Sequence, residues 1–128
     1  MSSIKVAHEC PLSLLEESLK FNDYCYALVH LFEEYPEYFD FFKRALLNNK
    51  EVILDNSLFE LGEAYNDEGF AECVAELKLN YHIVPDVWEN SEKTINKFDH
   101  WYKDLPGLKI GVVQGNSWNS MLECYRYM

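Results

Sequence analysis

The chain has 128 residues, of which 48% are hydrophobic and 16% aromatic, a composition that argues against disorder and fits one domain. Twenty-two acidic residues against eleven Lys and Arg give a formal net charge of −11, which disfavours general binding to nucleic-acid phosphates. No apolar run approaches the roughly 20 residues of a membrane span, and the first residues lack the apolar segment of a signal peptide, so we expect a cytoplasmic protein without a membrane partner.

Five short apolar runs recur about every 25 positions, and each ends in a polar residue. They are Ile4 to Ala7, Tyr26 to Val29, Val52 to Leu54, Tyr81 to Pro85 and Ile110 to Val113. Each run is followed by a stretch of helical character. This alternation predicts parallel strands joined by helices.

The helical stretches have recognisable starts. Pro11 and Pro36 suit first helical turns, and Ser91 is the predicted N-cap of a later helix. The predicted helices cover residues 11–19, 37–47, 58–65 resuming at 69–79, 91–102 and 117–127.

Five βα units in one domain, residues 1–128, fit two folds. One is a partial (β/α) TIM barrel, since the complete barrel has eight units. The other is a complete flavodoxin-like open sheet, which has five. The first predicted βα turn, His8-Glu9-Cys10-Pro11, lacks the glycines that cradle a phosphate, which argues mildly against the second fold.

The four cysteines are predicted to be buried thiols. Cys10, Cys25, Cys73 and Cys124 form no Cys-x-x-Cys pair, so neither a zinc site nor disulfides are expected.

Asp55, Asp86 and Gln114 each follow a predicted strand, where side chains point towards the carboxyl edge of a parallel sheet. Such residues often cap the next helix. Three at equivalent places also suit recognition of a purine edge, because carboxylates accept N–H groups such as N1 and N2 of guanine and an amide donates to O6. Neighbouring carboxylates also separate their pKa values, which supplies an acid and a base.

Two histidines offer a different chemistry. His8 and His30 follow the first two predicted strands, and together with Asp86 or Asp55 they would suit a metal-dependent hydrolase. Hydrogen-bonded histidines near the core are the simpler interpretation. Gly115 allows close backbone approach to a ligand.

Three motifs resemble the tRNA-guanine transglycosylase family. Residues 52–60, Val-Ile-Leu-Asp-Asn-Ser-Leu-Phe-Glu, resemble the family's apolar strand ending in Asp-Ser-Gly-Gly-Phe-Gln. Residues 83–87, Ile-Val-Pro-Asp-Val, are similar to its next strand, which ends in an aspartate. Residues 110–115, Ile-Gly-Val-Val-Gln-Gly, closely resemble its Gly-Ile-Val-Gln-Gly.

The resemblance implies exchange of guanine for a 7-deazaguanine base in tRNA or DNA. Asp55 would contact the base and assist proton transfer, while Asp86 and Gln114 would read its edge. Candidate contacts at the same strand ends are His8, Asn56 and Gly115. The short, divergent form looks like a phage-type branch acting on DNA, which would place the protein in the host cytoplasm.

The chain also departs from the family pattern. Ser57-Leu58 replaces Gly-Gly, and Glu60 replaces Gln. The family's nucleophilic aspartate lies on a later strand than those found here, and its zinc site of three cysteines and a histidine has no counterpart, so no cofactor is expected. We therefore expect the N-terminal part of a transglycosylase-like barrel that binds a base without completing the exchange alone.

Five strands would leave open sheet edges, so a second copy or a completing chain is the expected protein partner. A non-catalytic binding protein, such as an acidic phage protein that blocks a host factor, is the alternative.

Overall fold

The computed structural model describes residues 3–63, 65–79 and 81–128. In this part of the chain, four parallel strands form one sheet: β1 (Cys25–Leu28), β2 (Val52–Asp55), β3 (Tyr81–Ile83) and β4 (Leu108–Ile110). The strands lie side by side in chain order. The protein is therefore an α/β fold with an open, all-parallel sheet.

Helices connect the strands, as the alternating pattern predicts. A single 3₁₀ turn at Leu12–Leu14 precedes the helices α1 (Leu15–Ser18), α2 (Val29–Glu34), α3 (Pro36–Leu47), α4 (Leu58–Leu61), α5 (Asp67–Leu77), α6 (Ser91–Tyr102) and α7 (Trp118–Tyr127). In this part of the protein no helix is both long and apolar enough to cross a membrane.

The main core lies on one face of the sheet. Ala27, Val52 and Leu54 point to this face and are fully buried. They pack with aromatic and aliphatic side chains of the helices, among them Phe42 of α3 and Phe70 of α5. Parallel strands in sequential order, joined by right-handed crossovers, place their connecting helices on the same face, which accounts for this arrangement.

The opposite face of the sheet is less covered. Tyr26, Ile53 and Tyr81 alternate with the core residues and are only half-buried, while Leu108 is 60% exposed. This face is the one that a closed barrel would turn inwards.

The first predicted strand, Ile4 to Ala7, is wrong, so the described sheet has four strands instead of five. The segment has no regular secondary structure, and the N–H of Val6 donates to Asp23 Oδ2 at 2.7 Å while its carbonyl accepts from the N–H of Asp23. The N–H of His8 donates to Asn22 Oδ1. A loop therefore takes the hydrogen bonds that a neighbouring strand would need.

The strand order shows that the flavodoxin-like alternative is wrong. In that order the predicted first strand separates the second from the third. Here β1 pairs directly with β2, with Tyr26 opposite Ile53. A sequential order is also the order of strands within a (β/α) barrel.

Several boundaries also differ from the prediction. The strand β3 ends at Ile83 instead of Pro85, and the helices predicted over 58–65 and 69–79 are α4 (Leu58–Leu61) and α5 (Asp67–Leu77). Val29 and His30 belong to α2, so β1 ends one residue earlier than its apolar run. The strand β4 ends at Ile110, and the apolar residues up to Val113 continue as irregular structure. The four cysteines are free thiols, with Cys25 and Cys124 buried.

Candidate functional site

Polar side chains from three neighbouring βα units meet at the carboxyl edge of the sheet. Asp55 is the last residue of β2, and Asp86 and Gln114 follow β3 and β4 by a few residues. Because the strands are parallel, their carboxyl ends lie at one edge, which brings residues far apart in sequence together.

The carboxylate of Asp86 is the centre of this group. Its Oδ1 accepts from Asn56 Nδ2 at 2.5 Å, and its Oδ2 accepts from Gln114 Nε2 at 2.7 Å. Asp86 is only 3% exposed. The two amide donors offset the cost of burying this side chain.

Both amides are held in one orientation by the backbone. Asn56 Nδ2 also donates to the carbonyl of Val84 at 3.2 Å, and Asn56 Oδ1 accepts from the N–H of Leu58 at 3.1 Å. Gln114 Oε1 accepts from the N–H of Glu89 at 3.0 Å. We call Asn56, Asp86 and Gln114 the strand-end network.

Asp55 lies beside this network, close to the carboxylates of Glu60 and Asp86. Its Oδ2 accepts from the N–H of Ser57 at 3.0 Å, and the hydroxyl of Tyr26 is next to its carboxylate. Burial raises the pKa of Asp55 above the ordinary carboxyl value, and the negative charges of Glu60 and Asp86 act in the same direction. A carboxyl group with a raised pKa is suited to holding or releasing a proton.

Glu9 belongs to the same acidic surroundings. Burial raises the pKa of Glu9, and the charges of Glu60 and Asp55 raise it further. This part of the edge therefore disfavours a phosphate and favours neutral or positively charged groups.

Ser57 links the ends of the first two strands. Its backbone has φ of 62°, a left-handed conformation that is uncommon outside glycine, and its side chain is fully buried. Ser57 Oγ lies 2.8 Å from His30 Nδ1 and accepts from the N–H of His30 at 3.3 Å. The serine thus joins the start of α2 to the turn after β2.

Two exposed aromatic rings stand close to the edge. Phe59 of α4 is 77% exposed and Trp88, two residues after Asp86, is 50% exposed. Their ring centroids are 5.9 Å apart. Sequence reasoning missed this pair, although each ring lies within four positions of a strand-end aspartate.

The other predicted site residues have different surroundings. The ring of His8 packs against Phe21, with centroids 5.8 Å apart. A side chain on Gly115 would come within 2.5 Å of Ser120 Oγ and 2.6 Å of the Met121 nitrogen. This glycine therefore permits close packing of the first turn of α7.

The metal-hydrolase alternative receives no geometric support. Within residues 3–63, 65–79 and 81–128, no three His, Cys, Asp or Glu side chains are placed to hold a metal ion. His30, which that alternative requires, contacts Ser57.

No family model matches the sequence, and no curated protein or solved structure matches it significantly.

Proposed function

We propose that the carboxyl edge of the sheet binds a guanine or 7-deazaguanine base, in a transglycosylase-related protein that acts on tRNA or DNA. The observation that carries this proposal is the convergence of Asp86 and Gln114, joined at 2.7 Å, with Asp55 beside them. These are the three residues that the resemblance assigns to the base.

The hydrogen-bonding capacity of the network fits a guanine edge. A carboxylate can accept about four hydrogen bonds, and Asp86 has two amide donors. The N1–H and N2–H groups of guanine would donate to Asp86, and the second N–H of Gln114 Nε2 would donate to O6. Since Asp86 is almost fully buried, the turn carrying Trp88 and Glu89 must shift to admit the base.

Asp55 is the proposed proton carrier. Burial raises its pKa above the ordinary carboxyl value, which favours its protonated form and suits it to exchange a proton with a ring nitrogen of the base. The rings of Phe59 and Trp88 offer apolar faces on which a planar base can stack.

Base binding is tested by titrating the protein with 7-deazaguanine and adenine, following binding by calorimetry. The proposal expects 7-deazaguanine to bind and adenine to fail, because adenine presents an acceptor at N1 where guanine presents a donor. Asp86→Asn should weaken binding by at least about tenfold, since it replaces an acceptor oxygen by a donor.

The matched control is Asp104→Asn, which removes an exposed carboxylate after α6 and should leave binding unchanged. Equal binding of adenine and 7-deazaguanine, or equal affinity of the Asp86→Asn and wild-type proteins, would contradict the proposal. Far-ultraviolet circular dichroism of each variant separates lost binding from lost folding.

A non-catalytic binding protein is the second candidate. The observation that favours it is that Asp86 is 3% exposed and already bonded to two amides, as in a purely structural network. Incorporation of labelled guanine into tRNA or duplex DNA by the purified chain would eliminate this candidate.

A further inference from the structure

A second concavity lies at the opposite edge of the sheet, where the strands begin. It has a volume of about 590 Å³ and is formed by the ends of α3 and α5, the two residues before β2 and the first residue of β3. Three lysines line it, Lys43, Lys50 and Lys78, together with apolar walls from Leu46, Leu47 and Leu77. We call it the lysine pocket.

The charge of this pocket contrasts with that of the chain. Of eleven Lys and Arg in a protein of net charge −11, three lie here, and all three are exposed. Within the described residues none of the three has a carboxylate oxygen within 4.0 Å. The lining also contains two glutamates: Glu51, which is bonded to Lys5 at 3.1 Å, and the exposed Glu76. The lysines therefore outnumber the carboxylates by three to two.

The C-terminal ends of α3 and α5 account for part of the positive charge in the pocket, since cations are favoured near C-terminal carbonyl groups. The last carbonyls of α3 nevertheless already have donors. The N–H of Lys50 donates to the carbonyl of Ala45 at 2.9 Å, and the N–H of Asn49 donates to that of Leu46 at 3.0 Å. Among the described residues, no hydrogen bond involves the ammonium groups of the three lysines, and that of Lys43 lies over the ring of Phe39, 6.0 Å from its centroid. Their hydrogen-bonding capacity is therefore free for another acceptor.

Lys78 is held at the end of a helix. It ends α5 with φ of 53°, in the left-handed region where a glycine or asparagine is usual. This is an ordinary way for a helix to end, and it fixes the position of Lys78 at the mouth of the pocket.

We propose that the lysine pocket binds the phosphate groups of a small molecule, with a nucleoside di- or triphosphate as the ligand class. The three ammonium groups supply charge-assisted donors for phosphate oxygens, and the leucine walls supply an apolar surface for the ring. The volume lies within the range of about 300–1,000 Å³ that is usual for small-molecule sites. This site is independent of the base-binding edge.

The test compares two variants of equal charge. The pocket variant carries Lys43→Gln, Lys50→Gln and Lys78→Asn, since asparagine tolerates the left-handed conformation. The control variant carries Lys20→Gln, Lys93→Gln and Lys103→Gln, three exposed lysines outside the pocket lining. Both lower the net charge by three, so general electrostatic effects are matched.

Pyrophosphate, ATP and adenosine are titrated into each protein and followed by calorimetry. The proposal expects pyrophosphate and ATP to bind the wild type and adenosine to bind much more weakly. The pocket variant should lose at least about tenfold in affinity for both phosphates, while the control variant stays within about twofold.

The proposal would be overturned by no binding of pyrophosphate to the wild type, by equal losses in the two variants, or by adenosine binding as tightly as ATP. Binding of a single-stranded oligonucleotide by the wild type with no binding of pyrophosphate would also overturn it, in favour of a nucleic-acid surface. Thermal unfolding of both variants shows whether each remains folded.

Discussion

His82 lies in the middle of β3 with its ring fully buried on the core side of the sheet. Within the described part of the chain neither ring nitrogen has a hydrogen-bond partner, and the ring packs edge-on against Phe70 with centroids 6.1 Å apart. Burial lowers the pKa of His82 to about 4, and the positive charge of Lys109 acts in the same direction. A polar ring in this position costs free energy in either protonation state.

We predict that His82 makes the fold less stable in acid. Its pKa is lower in the folded than in the unfolded chain, so the unfolded chain binds more protons and stability falls as the pH drops from about 6.5 to about 4. The shift corresponds to about 3 kcal/mol over this window. The raised pKa values of Asp55 and Glu9 act in the opposite sense, because protonation then favours the folded state.

The variant His82→Leu isolates this contribution. It should be more stable than the wild type above pH 6.5 by about 1 kcal/mol, because it removes an unpartnered buried polar group, and its advantage should grow as the pH falls. Urea unfolding between pH 4 and 7 measures both effects. His100→Gln, an exposed histidine on α6, is the control and should follow the wild-type curve. Parallel curves for His82→Leu and wild type would show that the ring is not buried as described.

At the start of α6, two adjacent polar residues, Asn90 and Ser91, could each serve as the N-cap. Ser91 is the predicted cap, but the side chain of Asn90 accepts from the N–H of Lys93 at 2.9 Å, and Ser91 is the first helical residue. Asn90 has extended backbone angles, as an N-cap requires, so its oxygen faces the free N–H groups of the first turn.

We therefore expect Asn90→Ala to lower the free energy of unfolding by about 1 kcal/mol, since the capping hydrogen bond is lost. Ser91→Ala should change it by less than about 0.5 kcal/mol, because alanine is well tolerated inside a helix. Chemical unfolding of the two variants measures the difference. A larger loss for Ser91→Ala than for Asn90→Ala would reverse the assignment of the cap.

The sequence predicts elements best where local pattern and tertiary contacts agree. The run ending at Asp55 forms a strand because both neighbours, β1 and β3, pair with it. The run from Ile4 to Ala7 is also largely apolar, but the side chain of Asp23 binds the backbone of Val6, and that of Asn22 binds the backbone of His8 just after the run. Apolar pattern alone cannot distinguish these cases, because it does not record which hydrogen-bond partner is available.

The sequence predicts those parts of the candidate site that depend on strand order, and it does not predict those that depend on loop contacts. A parallel sheet places strand ends at one edge, so the approach of Asp86 and Gln114 follows from their positions in sequence. The place of His8 and the pairing of Phe59 with Trp88 depend on loop conformations, which strand spacing does not specify.

Across the whole molecule, charge is unevenly distributed along the strand direction. Glu9, Asp55 and Glu60 lie near the carboxyl edge of the sheet, and the lysine pocket lies at the opposite edge. The base-binding proposal and the phosphate-binding proposal therefore concern surfaces of opposite charge. A phosphate should avoid the first and a neutral or cationic base should favour it.

The net charge of −11 also predicts how salt affects stability. Three ion pairs are present in the described residues, and the exposed pairs Lys5–Glu51 and Arg44–Glu16 are of the kind that contributes little. Repulsion among 22 acidic residues is the larger effect, and it is relieved when added ions screen it. We therefore expect the midpoint of urea unfolding to rise as NaCl is raised from about 0.02 M to about 0.5 M, over which the screening length falls from roughly 20 Å to about 4 Å.

A variant with three exposed carboxylates neutralised tests whether repulsion is the cause. Asp40→Asn, Glu72→Gln and Glu123→Gln lie on α3, α5 and α7 and take no part in the three ion pairs. This variant should be more stable than the wild type at low salt and should gain less from added NaCl, because less repulsion remains to be screened. A wild-type midpoint that falls with salt would mean that the ion pairs, among them the half-buried Lys97–Asp67 pair at 2.8 Å, outweigh the net repulsion.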